Sequence, residues 1–406
     1  MDYVALAVPF FLLALIVEFL YGWLTKKNTY RLNDTISSLF MGSLRGTSSV
    51  LKIGFSGFIY YHIETYFSLW RMNSELIITW IFAFIAYDFF YYWFHRISHE
   101  RQIFWASHVA HHQSEDYNLS TALRQTGTGA FVTWVFFVPV FLLGVPSFVF
   151  VSVASINLIY QFWVHSEHIP KLGWYEKFFV TASNHRVHHA QNDNYIDKNY
   201  GGVFIIWDRM FGTFKEEDES EAPIYGIRGT LNTFNPIWAN LHIYISMAKD
   251  IWYAQSWKDK FFVPFAKTGW KPSSLPEKPA KDNFNSQTFQ KYNPQVSGPI
   301  KIYSFFQFIA LAYVGLVLLE NGELNYQQLW VTVGMMAFTM YCTSLWLDGK
   351  EGFAMEVTRL AVCVMIGVYS YFDISLGPIA ISLLSYSAIN ILILPIINRP
   401  QAIPEA

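Results

Sequence analysis

Cysteine is almost missing from this chain: Cys342 and Cys363 are the only two in 406 residues, and both sit inside apolar runs. Two such residues build no disulfide framework, no four-cysteine iron–sulfur site and no CxxC redox pair. A nucleotide-binding fingerprint is also missing, so electrons for any redox chemistry must come from outside the chain. Charge is scarce as well. Charged residues make up 14%, and 28 basic against 30 acidic side chains leave a net charge of −2, which gives no basic surface for nucleic acid. What is plentiful is apolar surface: 53% hydrophobic residues, with 37 Phe, 25 Tyr and 15 Trp. With a mean hydropathy of +0.23, this composition excludes disordered and collagen-like chains and describes an integral membrane protein.

Apolar runs predict spanning helices at about 4–24, 36–62, 75–94, 129–143, 147–165, 302–319, 326–347, 353–372 and 376–397, an all-α polytopic bundle. The first run has no positive n-region and no small-residue cleavage site, so it reads as a retained span despite Glu18. The second contains Arg45 and Lys52 and reads as bent or partly interfacial. Gly144-Val145-Pro146 makes the pair 129–143 and 147–165 an apolar hairpin that either crosses or re-enters. Placing 25–35 on the cytoplasmic side puts 24 of the 28 basic residues inside, as the positive-inside rule requires. Residues 95–112 and 165–189 then face the same side. A proline-rich stretch, 264–300, separates a front module, 1–263, from a four-span tail, 301–406. The charged run Lys215 to Glu219 reads as a solvated loop.

Ten of the twelve histidines lie between 95 and 189. His95-Arg96-Ile97-Ser98-His99 places two imidazoles at i and i+4 on one helix face. His108, His111 and His112, and again His185, His188 and His189, are spaced i, i+3, i+4, and His165 and His168 follow the hairpin. Nine or ten imidazoles exceed what one ion binds, so two metals are implied, with zinc, copper, iron and nickel all compatible. Ligating histidines give their second N–H to an acceptor, and Asp88, seven residues before His95 on its helix face, is the candidate. Glu100, Glu115, Asp116 and Glu167 neighbour the motifs as outer acceptors, carboxylate ligands or plain surface.

The motifs HRISH, HVAHH and HRVHH resemble the three histidine boxes of the fatty acid hydroxylase/sterol desaturase superfamily of membrane di-iron oxygenases. The stretches Tyr91 to Arg96, Ser114 to Gln125, Tyr160 to His165 and Asp197 to Phe214 are similar to its glyceryl-ether-cleaving branch, and the pattern runs from Arg31 to about Phe214. The resemblance implies a di-iron site on the cytoplasmic side, held by His95, His99, His108, His111, His112, His165, His185, His188 and His189, with His168 a further candidate. It also implies Glu100 as the site carboxylate. O2, a lipid substrate and an external electron donor, tetrahydrobiopterin in that branch, follow from the same likeness. Tyr117, Asn118 and Arg124, after the second box, are expected to contact the headgroup or reductant; Trp207, Phe211 and Phe214 are expected to form an interfacial amphipathic piece. The membrane is expected to be a bacterial inner membrane or the endoplasmic reticulum.

The expected reaction is hydroxylation beside an ether oxygen, followed by collapse to a fatty aldehyde and a glycerol compound. Sterol or fatty acyl oxidation is the alternative within the superfamily. A zinc-dependent lipid hydrolase needs only about three protein ligands per zinc, and a metal transporter or haem carrier pairs histidines in mid-membrane. Neither rival uses so many histidines at helix ends and in loops.

Overall fold

The computed structural model describes residues 3–50, 54–275, 284–315, 324–372 and 377–398. Among them the regular elements are helical, with isolated bridges such as Phe179 to Phe204 and no β-strand. The longer helices are α1 (Tyr3–Leu24), α2 (Leu32–Val50), α3 (Phe55–Tyr66), α4 (Ile77–Glu100), α5 (Ser147–Trp163), α6 (Ala182–His189), α7 (Pro236–Tyr253), α8 (Gly298–Tyr313), α9 (Tyr326–Leu347), α10 (Phe353–Tyr371) and α11 (Gly377–Ile397).

Among the described residues, five segments are long and apolar enough to cross a membrane: Leu6–Leu24, Ile77–Glu100, Tyr326–Leu347, Phe353–Tyr371 and Ile379–Ile397. Each matches a predicted run. Glu18 does not spoil the first, because its carboxylate is buried and accepts bonds from the Leu119 backbone N–H at 2.8 Å and from the Tyr30 and Ser166 hydroxyls. The predicted span 36–62 is not one helix: Gly54 is non-helical, with α2 before it and α3 after it, and residues 51–53 lie outside the described residues. Glycine and two basic residues within an apolar run give the backbone a place to break. The hairpin is apolar but short, since the 17 residues of α5 reach roughly 26 Å against a hydrocarbon core of roughly 30 Å. The run at 302–319 corresponds to α8, and residues 316–319 lie outside the described residues.

The chain forms two compact units. One comprises Met1–Arg31, Lys52–Leu231 and Trp238–Lys291; the other comprises Leu32–Leu51, Asn232–Ile237 and Tyr292–Ala406. The division predicted from chain order places α2 with the front module, whereas α2 packs on α8 and α9, and its Asn33 donates to the Leu347 carbonyl at 3.1 Å. Such membership is long-range pairing, which leaves no local pattern. In the first unit α4 packs on α5 through Ala83, Tyr87, Tyr91, Val149 and Val153, so the end of α4 is rigidly set where the histidines begin.

Candidate metal centre

Four short pieces of backbone deliver the histidines. His95 and His99 occupy the last two turns of α4; His108 is the N-cap of a one-turn helix, Val109–His112, that carries His111 and His112. His165 lies just past α5, and α6 carries His185, His188 and His189. A capping box fixes the start of α6: the Thr181 side chain accepts from the Asn184 N–H while the Asn184 side chain accepts from the Thr181 N–H.

All nine motif histidines come together. His95, His99, His108, His112 and His188 form one group, and His111, His165, His185 and His189 a second, with one ligand-capable atom per residue lying within 4.8 Å of the others in its group. The groups adjoin, the His112 and His189 rings stacking at 4.3 Å between centroids. Four rings have their tautomer fixed from outside. Nδ1 of His95, His111, His165 and His188 faces the carbonyl oxygens of Tyr200, Arg124, Gln161 and Lys198 at 2.8, 2.9, 2.8 and 2.9 Å. A carbonyl only accepts, so each Nδ1 carries the proton and each Nε2 is a bare lone pair. The His111 and His165 Nε2 atoms nevertheless face each other at 3.3 Å, and Nε2 of His95, His99 and His188 has no hydrogen-bond partner. Inward-facing lone pairs with nothing to accept from are unfavourable in a bare cavity and are the donor set a metal requires.

Electrostatics agree with ligation. Burial, reinforced by neighbouring imidazoles, holds His108, His112, His185 and His189 well below the ordinary histidine range, and burial pushes His188 down to about 3. These rings are neutral at pH 7, as ligands must be.

The other predicted residues fall elsewhere. Asp88 is fully buried but takes no N–H from a histidine; it accepts from Asn157 Nδ2, the Val203 and Phe204 backbone and Trp207 Nε1 at 2.7, 2.7, 3.0 and 2.9 Å. The acceptor for His95 is the Tyr200 carbonyl instead. Glu100 is partly exposed and pairs with Arg96 at 2.9 Å. Tyr117 donates to the Val164 carbonyl and stacks on Tyr225, its ring 5.3 Å from His189. Asn118 caps the helix Leu119–Leu123, and Arg124 Nε donates to the Ala110 carbonyl. These three residues thus hold the wall of the histidine cluster with their polar groups turned to protein. His168 stands outside both groups, against the Tyr21 ring. Asp116 pairs with Arg31 and Lys291, and Glu167 is exposed.

One further expectation gains detail and another needs correcting. The rings of Trp207 and Phe211 pack on Phe89 and Trp93, and Phe214 lies under the Arg209 guanidinium at 3.7 Å, so this segment is a seated flank of α4. Within Lys215 to Glu219, Glu217 grips Arg186 of α6 with two bonds of 2.8 and 2.7 Å, both side chains being largely buried.

What sequence reasoning missed is how the loop Lys198–Phe204 is held, by Asp208 and by Asp88 in place of the histidine contact expected of it. Asp208 accepts the Tyr200 and Gly201 N–H groups at 2.7 Å each, while Asp88 accepts those of Val203 and Phe204. Two carboxylates therefore fix the loop whose Tyr200 and Lys198 carbonyls orient His95 and His188. Gly201-Gly202 is the local signal: a Cβ at Gly202 would lie 2.8 Å from Asp88 Oδ1, and one at Gly201 would lie 2.6 Å from the Phe204 carbonyl oxygen and 3.0 Å from Asp208 Oδ2.

Residues 80–213 match the fatty acid hydroxylase family model. Over most of its length the chain is similar to alkylglycerol monooxygenases. It is 37% identical to that of Homo sapiens over 377 residues, covering 90% of this chain and 82% of the human protein. It is 34% identical to that of Xenopus tropicalis, covering 91% and 83%, and 32% identical to that of Danio rerio, covering 96% and 87%. No solved structure matches.

Proposed function

Because the chain belongs to the alkylglycerol monooxygenase family, we propose that its two histidine groups hold two irons and that the centre, on the cytoplasmic side, oxidises alkylglycerols with electrons from an external donor. The chain is a membrane lipid monooxygenase that cleaves the alkylglycerol ether bond. The observation that supports two ions is the division of nine converging imidazoles into adjoining sets of five and four. Iron held there would supply the redox chemistry that activates O2, which no side chain can provide.

The protein's own part is to aim and to exclude water. Tyr200, Arg124, Gln161 and Lys198 carbonyls keep four Nδ1 protons pointing outward, so the Nε2 lone pairs remain inward. Tyr117 and Tyr225, stacked at 4.7 Å, close the cluster beside His165 and His189. A C–H bond next to an ether oxygen offers no proton to a base, so no acid–base pair is needed to begin. One oxygen atom enters that carbon and the other leaves as water, at the expense of two electrons and two protons from the donor. The resulting hemiacetal separates into a fatty aldehyde and a glycerol compound.

Tetrahydrobiopterin is our assignment for the donor. The test incubates purified protein with a 1-O-alkylglycerol under air, with tetrahydrobiopterin in one arm and a ferredoxin-type donor in another, following aldehyde release. Aldehyde in the pterin arm alone supports the assignment. Turnover only with the protein donor removes the pterin, and product formed without O2 removes the oxygenase reading.

A further inference from the structure

The segment after α7 presents an aromatic face that the other described residues leave largely exposed. Trp252, Tyr253, Trp257, Phe261 and Phe265 are 77, 66, 76, 76 and 59% exposed. Trp257, Phe261 and Phe265 follow at intervals of four, one face of the short helix Trp257–Phe262 and the turn after it. Val263 and Ala266 on the other side are fully buried, so the segment is firmly seated and its aromatics face outward by design of the pattern. Lysines rim the face: Lys258, Lys260 and Lys267, with Lys260 Nζ also holding the Ile251 and Trp252 carbonyls at 2.9 and 3.0 Å.

Its attachment gives its depth. Gln102 N–H donates to the Ala266 carbonyl at 3.1 Å, Arg101 Nη1 to Phe265 at 3.1 Å and Gln102 Nε2 to Trp270 at 2.9 Å. In return, the Thr268 N–H donates to the Glu100 carbonyl at 3.2 Å and its hydroxyl to the His99 carbonyl. Residues 99–102 are the end of the spanning helix Ile77–Glu100, the level at which hydrocarbon gives way to headgroups. Large exposed aromatics are unfavourable in water, and ammonium groups are unfavourable in hydrocarbon. A face carrying both, fixed at the end of a span, has the composition of a membrane–water boundary.

We propose that Trp252–Phe265 lies in the phospholipid headgroup layer on the histidine side of the bilayer, an in-plane anchor tied to the end of the span by the Arg101 bond to the Phe265 carbonyl and, just beyond it, by the Thr268 bond to the His99 carbonyl. The lysines reach phosphates while Trp257, Phe261 and Phe265 rest on the upper acyl region. The anchor thereby sets the height at which the histidine cluster stands above the hydrocarbon.

The test uses the full chain in lipid nanodiscs. Phe261→Cys, and separately Trp257→Cys, is labelled with an environment-sensitive fluorophore; both native cysteines are buried. Ser220→Cys, on an exposed loop, serves as the water reference. Quenching is compared among lipids with a nitroxide at the headgroup, a nitroxide near the end of the acyl chain, and a soluble iodide quencher. The anchor predicts strongest quenching by the headgroup nitroxide at both positions, with iodide strongest at the reference. Strongest quenching by iodide at position 261 places the face in water, and strongest quenching by the terminal nitroxide places it in the hydrocarbon. Protection from all three means a protein covers it. Each of these three results overturns the proposal.

Discussion

Asp88 and His188 show how single side chains prepare the centre. Asp88 satisfies four donors from α5 and the loop after α6, and through that loop it fixes the Tyr200 carbonyl that orients His95. Asp88→Asn replaces an acceptor with an amide that must turn one N–H group toward other donors. We expect metal affinity to fall roughly 10- to 100-fold, the usual cost of disturbing a ligand's support, together with a lower unfolding temperature. Metal retained after dialysis against a chelator checks it; full retention at unchanged stability would return Asp88 to a packing role. For His188 the folded ring is held down to about 3, whereas the unfolded ring protonates near 6.5. Between these values the unfolded state binds the extra proton, so stability is intact above about pH 6.5 and declines as pH falls toward 3. Metal-free protein should lose about 2 kcal/mol from this residue alone by pH 5. Denaturant unfolding at pH 7 and pH 5 measures it, and equal midpoints would contradict it.

Among the elements, the histidine boxes were legible because their signal is local: imidazole type and i, i+3, i+4 spacing survive translation into helix ends. The acceptors behind them were not. Tyr200, Arg124, Gln161 and Lys198 act through carbonyls, which every residue has, so their identity depends on where the chain returns. Asp88 stands out in the sequence as an ionisable residue in an apolar span, but its donors, Asn157, Val203, Phe204 and Trp207, are distant in sequence and leave no local pattern. Glu217 gives the plainest case, since nothing within the run Lys215 to Glu219 tells which carboxylate turns inward to Arg186. Glu217→Gln should cost α6 roughly 1.5–3 kcal/mol, the worth of hydrogen bonds to a charged group. A solvated glutamate would cost less than about 0.5. Thermal unfolding of the full chain in detergent distinguishes the two, and a shift of zero would restore the solvated loop.

For the whole molecule, composition alone announced a helical membrane protein, and the five long spans followed from length and hydropathy. The break near Gly54 and the membership of α2 in the second unit did not, because both depend on partners distant in sequence. That second unit contains a buried ionic network of its own. Arg359 bonds Glu356 and meets Thr339 Oγ1 at 3.3 Å, Tyr386 at 2.5 Å and Tyr303 at 3.3 Å, joining α8, α9, α10 and α11. Glu356→Leu leaves the Arg359 charge without its counter-ion and should destabilise this unit by about 3–5 kcal/mol, read as faster proteolysis of the tail in detergent. Replacing both residues by apolar ones should recover most of the loss, and a single variant as resistant as the parent would show that the pair carries no weight.

The central claim is that nine histidines hold two irons for an oxygenase. Elemental analysis of the purified full chain tests it most directly, with metal per polypeptide determined by mass spectrometry. The account predicts two irons per chain, falling sharply in His111→Ala and His188→Ala. Zinc in place of iron, or a single ion that survives both substitutions, would contradict it.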